Sequence, residues 1–247
     1  MRLFQIRPVL NSPLAGIPLP LAPGALRAGL SLRMAGDLCL GSPSREPFFR
    51  GLGIDPGRVY AVRQVHSRRV LTVRGEVPSE LAAAEADGLV TDRREALLTV
   101  TVADCLPIFL YDRSGRAFAL VHSGWKGTGI AVEAVHRLEK EFGIAPEELE
   151  AVIGPGIGAC CYEVDGSRAE GFRRDFGERT VRRQSAPDGE RWFLDLRAAN
   201  AELLSATGVR EVHAAAECTA CTPELASFRR DGSGFRRMAA FIGEFEP

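Results

Sequence analysis

Residues 97–128 read LLTVTVADCLPIFLYDRSGRAFALVHSGWKGT. Leu97 to Ala103 is a continuous apolar run rich in β-branched side chains, the pattern of a buried strand. Asp104, Cys105 and Leu106 follow, and Pro107 forbids a simple continuation of that ladder. Pro107–Asp112 and Ala117–Val121 are two further apolar runs joined by Arg113-Ser-Gly115, which predicts a hairpin. His122 ends the second run. A helix is expected from about Thr128 to Phe142, with Ala131, Val135, Leu138 and Phe142 on one face and Gly143 and Pro146 at its end.

Outward from this stretch the same alternation of short strands and helices continues. Arg58–Val65 alternates and predicts a strand ending at His66. Val70–Val73, Gly88–Thr91, Glu150–Ile153, Val212–Ala216 and Met238–Ile242 read as strands. Leu81–Ala86, Arg168–Phe176 and Leu196–Ala206 read as helices, and the polar run Glu178–Glu190 as an exposed loop. Residues 1–45 are rich in proline and glycine with weak periodicity, Gly24–Leu32 being the clearest strand there. With no internal repeat or linker, the expectation is one α/β domain over residues 1–247.

Composition narrows the function classes. A chain of 247 residues can bury a substantial core, and its net charge of −1 provides no global field for nucleic acid or an anionic membrane. The longest apolar stretches fall short of a membrane span. The opening MRLFQIRPVLNSPLAGIPLPLAPG lacks a clean apolar signal region, so a cytoplasmic location is expected. Of 31 cationic residues only Lys126 and Lys140 are lysine. Arginine favours bidentate contacts to carboxylate or phosphate, although a skewed composition produces the same bias. The six cysteines, Cys39, Cys105, Cys160, Cys161, Cys218 and Cys221, fit a reducing compartment.

Three residues stand out at strand ends: His66, Cys105 and His122. Two imidazoles and a thiolate are a metal-ligand set, and three ligands keep a coordination position open. The competing reading is a surface histidine, a buried cysteine and a capping histidine. Asp104 and Asp87 are each candidates to orient a ligating imidazole, or plain turn residues. The helix after His122 offers an amino end suited to an anion, with Lys126 beside it. Gly154-Pro-Gly-Ile-Gly158 is either a backbone nest for phosphate or a tight turn. Arg229-Arg230-Asp-Gly232 suits a phosphate or carboxylate, or is a charged turn. The Cys218-Thr-Ala-Cys221 pair and the adjacent Cys160-Cys161 pair read as small buried thiols. His136 and His213 read as structural.

Taken in order, Gln64-Val-His66-Ser, Ala86-Asp-Gly-Leu-Val-Thr91, Val102-Ala-Asp-Cys-Leu-Pro107, His122-Ser-Gly-Trp-Lys-Gly-Thr128 and Ile153-Gly-Pro-Gly-Ile-Gly-Ala-Cys-Cys-Tyr-Glu-Val164 resemble the bacterial purine nucleoside phosphorylase/laccase-domain family. Members were once called multicopper polyphenol oxidases or peptidoglycan editing factors. Cys218-Thr219 and Ser227-Phe-Arg-Arg-Asp-Gly232 are similar to its C-terminal signatures. The resemblance covers roughly residues 58–240. It implies a central β-sandwich covered by helices, similar to cysteine hydrolases and the cytotoxic necrotizing factor catalytic domain. It implies zinc on His66, Cys105 and His122. It also implies phosphorolysis of adenosine, inosine and methylthioadenosine, with adenosine deamination as a side activity. Nucleoside and phosphate would be the small-molecule partners, with no nucleic acid or membrane.

The residues themselves supply candidates for the roles such chemistry needs. Cys105, Asp104, Lys126 and Glu163 are the catalytic candidates. Arg229, Arg230, Gly154 and Gly156 are the substrate-binding ones. The chain departs from the family pattern at both ends: its N-terminal signature is barely recognisable in Gly24–Gly41, leaving Arg27, Arg33 or Arg45 to supply the usual arginine, and Gly232-Ser-Gly-Phe-Arg-Arg237 replaces a Gly-x-Thr-Gly-Arg run. Two rival chemistries share the same residues. One is amide hydrolysis in peptidoglycan-precursor editing, by zinc or by a Cys105 nucleophile with a histidine base. The other is copper polyphenol oxidation, since His₂Cys is also a copper set, yet the only methionines are Met1, Met34 and Met238 and a multicopper oxidase needs more than four histidines.

Overall fold

A computed structural model describes residues 1–246 apart from 10, 11, 21, 23 and 188. Among the described residues two large sheets lie face to face. From edge to edge the first holds Arg2–Phe4, Glu211–Ala215, Leu149–Ile153, Leu106–Asp112, Phe118–Ser123, Gly88–Thr91 and Val70–Thr72. It is antiparallel at its centre and parallel at both flanks. The second holds Arg7–Pro8, Leu14–Ile17, Leu26–Ser31, Met238–Glu244, Leu97–Val102 and Val59–Tyr60.

Strand alternation explains the layers. In the fully buried Leu106–Asp112 strand, Leu106, Ile108 and Leu110 face one side and Phe109 and Tyr111 the other. The first set packs under the helices Ile130–Phe142, Gly166–Phe176 and Leu196–Ala206 through Val135, Leu138, Phe172 and Leu204. The second set meets Leu30, Leu98, Val100 and Ile242 of the other sheet. Phe48 and Phe49 of the short helix Arg45–Gly51 cover the outer face of that sheet, edge-on against Phe241. The expected sandwich with helical cover is therefore present. Among the described residues, no helix is long and apolar enough to cross a membrane.

The central hairpin pairs as expected, with His122 opposite Pro107. The helix after it begins at Ile130 rather than near Thr128 and stops at Gly143, which adopts φ +65 and bonds back to Glu139 and Leu138. Two expectations need correction. The strand expected over Arg58–Val65 reduces to Val59–Tyr60. Beyond it the backbone leaves the ladder: the amides of Val65, His66 and Ser67 donate to the Asp87 carboxylate, and the Gln64 amide group pairs with the main chain of Thr101. The loop expected over Glu178–Glu190 contains Val181–Ala186, which pairs with Gly189–Leu194 in a small third sheet (residue 188 lies outside the described residues).

Candidate metal centre and its cavity

The sheet ends bring His66, Cys105 and His122 together: their ligand atoms all lie within 4.8 Å of one another. His66 Nε2 is 3.9 Å from Cys105 Sγ, and the two imidazole rings meet edge-on with centroids 4.9 Å apart. His122 is buried at the end of the Phe118–Ser123 strand. Cys105 is half-buried in the turn between two strands, and His66 is exposed on the loop that leaves the second sheet. Two residues hold unusual backbone here. His66 has φ +60 and Asp104 has φ +85, and among the described residues no other non-glycine residue has positive φ. Such conformations persist only where surrounding bonds over-determine them.

Asp87 supplies much of that determination. Its carboxylate accepts from the amides of Val65, His66 and Ser67, from the Ser67 hydroxyl, and from His122 Nδ1 at 2.9 Å. Burial pushes this carboxyl upward, but the bonds from His122 and Ser67 outweigh it and hold it at about 2. Because Nδ1 is committed to Asp87, His122 presents Nε2 to the cluster. Burial depresses the His122 ring, yet the Cys105 thiolate and Asp87 raise it to about 9. Burial likewise pushes the Cys105 thiol up, and the two histidines bring it down to about 6. One thiolate and two imidazoles at this spacing fit a tetrahedral zinc ion with one position free.

Asp104 does something different from Asp87. Its Oδ1 accepts from the Thr219 hydroxyl at 2.6 Å and its Oδ2 from the Arg229 amide at 2.7 Å. It ties the Cys105 turn to the C-terminal loops and makes no bond to a ligating imidazole.

The cluster forms the floor of a cavity of about 820 Å³. Five arginines line it, Arg45, Arg63, Arg168, Arg229 and Arg237, together with Tyr162, Phe228 and Phe235. Arg168 lies over the Trp125 ring at 4.2 Å, Arg237 over Phe235 at 4.7 Å and Arg229 over Tyr162 at 5.5 Å. Of the three N-terminal candidates, Arg45 reaches the cavity. Arg27 bonds its own loop at Gly24 and Leu26, and Arg33 pairs with Asp231. Arg45 Nη1 donates to Leu38, while Nη2 is buried without a partner, and burial lowers the group to about 10. Tyr162, Arg168, Phe228, Phe235 and Arg237 carry no site signal in the sequence beyond their motifs, because long-range packing alone gathers them.

Several expected site residues stand elsewhere. Arg230 spends its guanidinium on the carbonyls of Thr219, Thr222 and Leu225 and on Asp231, so it braces its own turn. Gly154 and Gly156 do not form an anion nest. The Gly154 and Ile157 amides bond the carbonyls of Pro107 and Asp104, and a Cβ on Gly156 would come within 2.4 Å of Leu106. The glycines are there for close packing. Lys126 is exposed and outside the cavity wall. The amino end of its helix is already engaged, with the Ile130 and Val132 amides on the carbonyls of Gly127 and Gly129. Glu163 is exposed, its carboxylate 4.0 Å from Arg191. His136 is exposed on its helix and His213 lies in the Glu211–Ala215 strand, both away from the cluster.

A family model described as multi-copper polyphenol oxidoreductase laccase matches residues 42–244. The purine nucleoside phosphorylase YlmD of Geobacillus stearothermophilus is 37% identical over 196 residues, covering 74% of this chain and 71% of that protein. The purine nucleoside phosphorylase CA_C1699 of Clostridium acetobutylicum is 34% identical, covering 73% of this chain and 75% of its own. The crystal structure of the Geobacillus stearothermophilus YlmD superposes with a TM-score of 0.84 at 28% identity, over 98% of this chain and 99% of that one. With its sheets, helices and most of its length matched in this way, the chain belongs to the multi-copper polyphenol oxidoreductase laccase family.

Proposed function

We propose that this chain is a zinc-dependent purine nucleoside phosphorylase acting on adenosine, inosine and methylthioadenosine, with adenosine deamination as a side activity. The observation that carries the reading is the convergence of His66, Cys105 and His122 on the floor of an arginine-lined cavity. The names of the relatives support the same reaction.

A zinc ion on the three donors would supply Lewis acidity beside the reacting bond. The remaining work falls to the chain. Tyr162, Phe228 and Phe235 offer flat apolar surfaces to a purine. Arg45, with a free buried nitrogen, and Arg237 form the positive wall that holds phosphate, beside Arg229, whose guanidinium is anchored on the carbonyls of Cys161 and Glu163. This role passes to them from Lys126. Phosphate held against the anomeric carbon forms the new carbon–oxygen bond as the carbon–nitrogen bond to the purine breaks, and the purine departs with a proton. The proton that the phosphate loses on forming its ester goes to the purine, and the Tyr162 hydroxyl, raised by burial and the nearby Cys105 thiolate, keeps its own proton and can hydrogen-bond the departing ring. Asp104, with both oxygens committed, acts as a positioning residue.

The test is phosphate-dependent release of adenine and hypoxanthine by zinc-loaded protein. Cys105→Ala should lose the zinc of this site and at least about 100-fold in kcat/KM. Full phosphorolysis by Cys105→Ala protein that holds no zinc at this site would overturn the reading.

One observation favours a second reading. Cys105 Sγ, 3.9 Å from His66 Nε2 and with its thiol lowered to about 6 by the two histidines, is also placed like the nucleophile of a cysteine hydrolase, which would suit amide cleavage in peptidoglycan-precursor editing. Chelation separates the two, since a nucleophilic cysteine keeps its activity without zinc. The copper polyphenol oxidase reading fares less well. Met34 is exposed and Met238 is buried against the Ala226 amide, so neither offers an axial sulfur to the cluster.

A further inference from the structure

Four cysteines remain outside this chemistry, and the fold gathers them. The Sγ atoms of Cys160, Cys161, Cys218 and Cys221 all lie within 4.8 Å of one another. Cys221 Sγ is 3.3 Å from Cys161 Sγ and 3.7 Å from Cys160 Sγ. The two pairs sit on loops that follow neighbouring parallel strands, Leu149–Ile153 and Glu211–Ala215. A bridge between Gly156 and Cys218, with the Thr219 amide on the Gly156 carbonyl at 3.1 Å, keeps those loops side by side.

The spacing suits one ion. Four sulfurs at about 2.3 Å from a tetrahedral zinc stand about 3.8 Å from each other. The loops also point amides at sulfur. The Gly158 amide donates to Cys218 Sγ at 3.2 Å, and the amides of Ala220 and Cys221 face the same atom. All four donors are soft, which selects zinc over magnesium or calcium.

We propose that Cys160, Cys161, Cys218 and Cys221 hold a second zinc ion in a closed four-thiolate site. With its ligand set complete this site is structural. It clamps the loops behind one wall of the cavity. Arg229 donates to the carbonyls of Cys161 and Glu163, and Thr219, inside the Cys218–Cys221 turn, donates to Asp104.

The test uses full-length protein purified with reductant, loaded with zinc and freed of excess. Cys105→Ala should keep one equivalent of zinc, and Cys218→Ser should hold one fewer than the parent. Cobalt in the Cys105→Ala protein should show thiolate-to-cobalt charge transfer with the absorption of a tetrahedral ion. Should Cys218→Ser fail to fold, alkylation of the parent protein decides. Zinc should slow modification of the exposed Cys160 and Cys221 by about 10-fold or more, and a chelator should restore it. Equal alkylation rates with and without zinc, no zinc left in folded Cys105→Ala protein, or a Cys161–Cys221 disulfide in the zinc-loaded protein would each overturn the proposal.

Discussion

The His66–Cys105–His122 cluster draws on segments from both large sheets and the four-cysteine cluster on two loops of the first, and the two are held in opposite ways. The first takes its donors from three separate segments and braces them from behind with a carboxylate, Asp87. The second takes its donors from two loops and braces them with backbone amides. A carboxylate fixes the tautomer and direction of an imidazole, whereas an amide favours the charge on a thiolate. The first set has three donors facing a cavity and leaves room for a reactant. The second has four donors and leaves none. With zinc at both, as proposed, donor number and the nature of the brace would separate a site for chemistry from one that clamps.

The largest effect that would break this contrast is Asp87→Ala. It removes the acceptor of five hydrogen bonds, four from the His66 loop and one from His122. Leaving the buried His122 ring without its partner and the part-buried donors of the His66 loop unpaired should destabilise the protein by about 2–4 kcal/mol, read by urea unfolding. Zinc should be lost from the first cluster and kept in the second. Loss of both ions from folded Asp87→Ala protein would show that the braces are not independent.

Acid sharpens the same comparison. Asp87 is held at about 2 in the folded chain, below the ordinary carboxylate value near 3.9. A depressed folded value means that the stability it contributes is complete above about pH 4 and is lost as pH falls toward 2. The shift corresponds to about 2 kcal/mol. Asp112, held low despite burial by Arg116 and Ser114, adds a similar acid loss elsewhere. The difference between the parent and Asp87→Asn isolates the site's share. Unfolding free energies measured from pH 5 to pH 2 should converge for the two proteins as the pH falls. Curves that stay parallel would remove Asp87 as the acid-sensitive brace.

How much of this was legible depended on burial. The hairpin within 106–123 and the strands at 88–91 and 97–102 are buried almost throughout, so their apolar runs announce them. Val181–Ala186 is a strand with an exposed middle, held by its ladder and by Arg182 and Arg183 over Phe193 and Trp192, and polar residues there read as loop. The sequence places His66, Cys105 and His122 at strand ends, but their meeting depends on Asp87 drawing the His66 loop off its ladder. A side chain that replaces main-chain pairing leaves no periodic trace. The four cysteines were legible only as two pairs. Cys160 and Cys221 are 61 residues apart, and only the parallel pairing of two strands makes them neighbours.

The smallest effects come from the glycine beside each cluster, and they test whether the first is the tighter. A Cβ on Gly124 would stand 2.7 Å from Cys105 Sγ and 3.2 Å from the His66 ring. Something must shift, and the nearest atoms are the Cys105 sulfur and a carbon of the His66 ring, both in ligand side chains. Gly124→Ala should cost about 1–3 kcal/mol and weaken zinc at the first site by about 10- to 100-fold, read by competition with a chelating dye. A Cβ on Gly158 meets Cys160 Sγ at 3.2 Å and Cys218 Cβ at 3.3 Å, contacts that a few tenths of an ångström relieve. Gly158→Ala should therefore cost less than about 1 kcal/mol and leave the first site's zinc and the phosphorolysis rate unchanged. If Gly158→Ala lowered that rate as far as Gly124→Ala does, the loops behind the Arg229 wall would be coupled to the reacting centre. Asp104, bonded to both Thr219 and the Arg229 amide, is the residue through which the coupling would run.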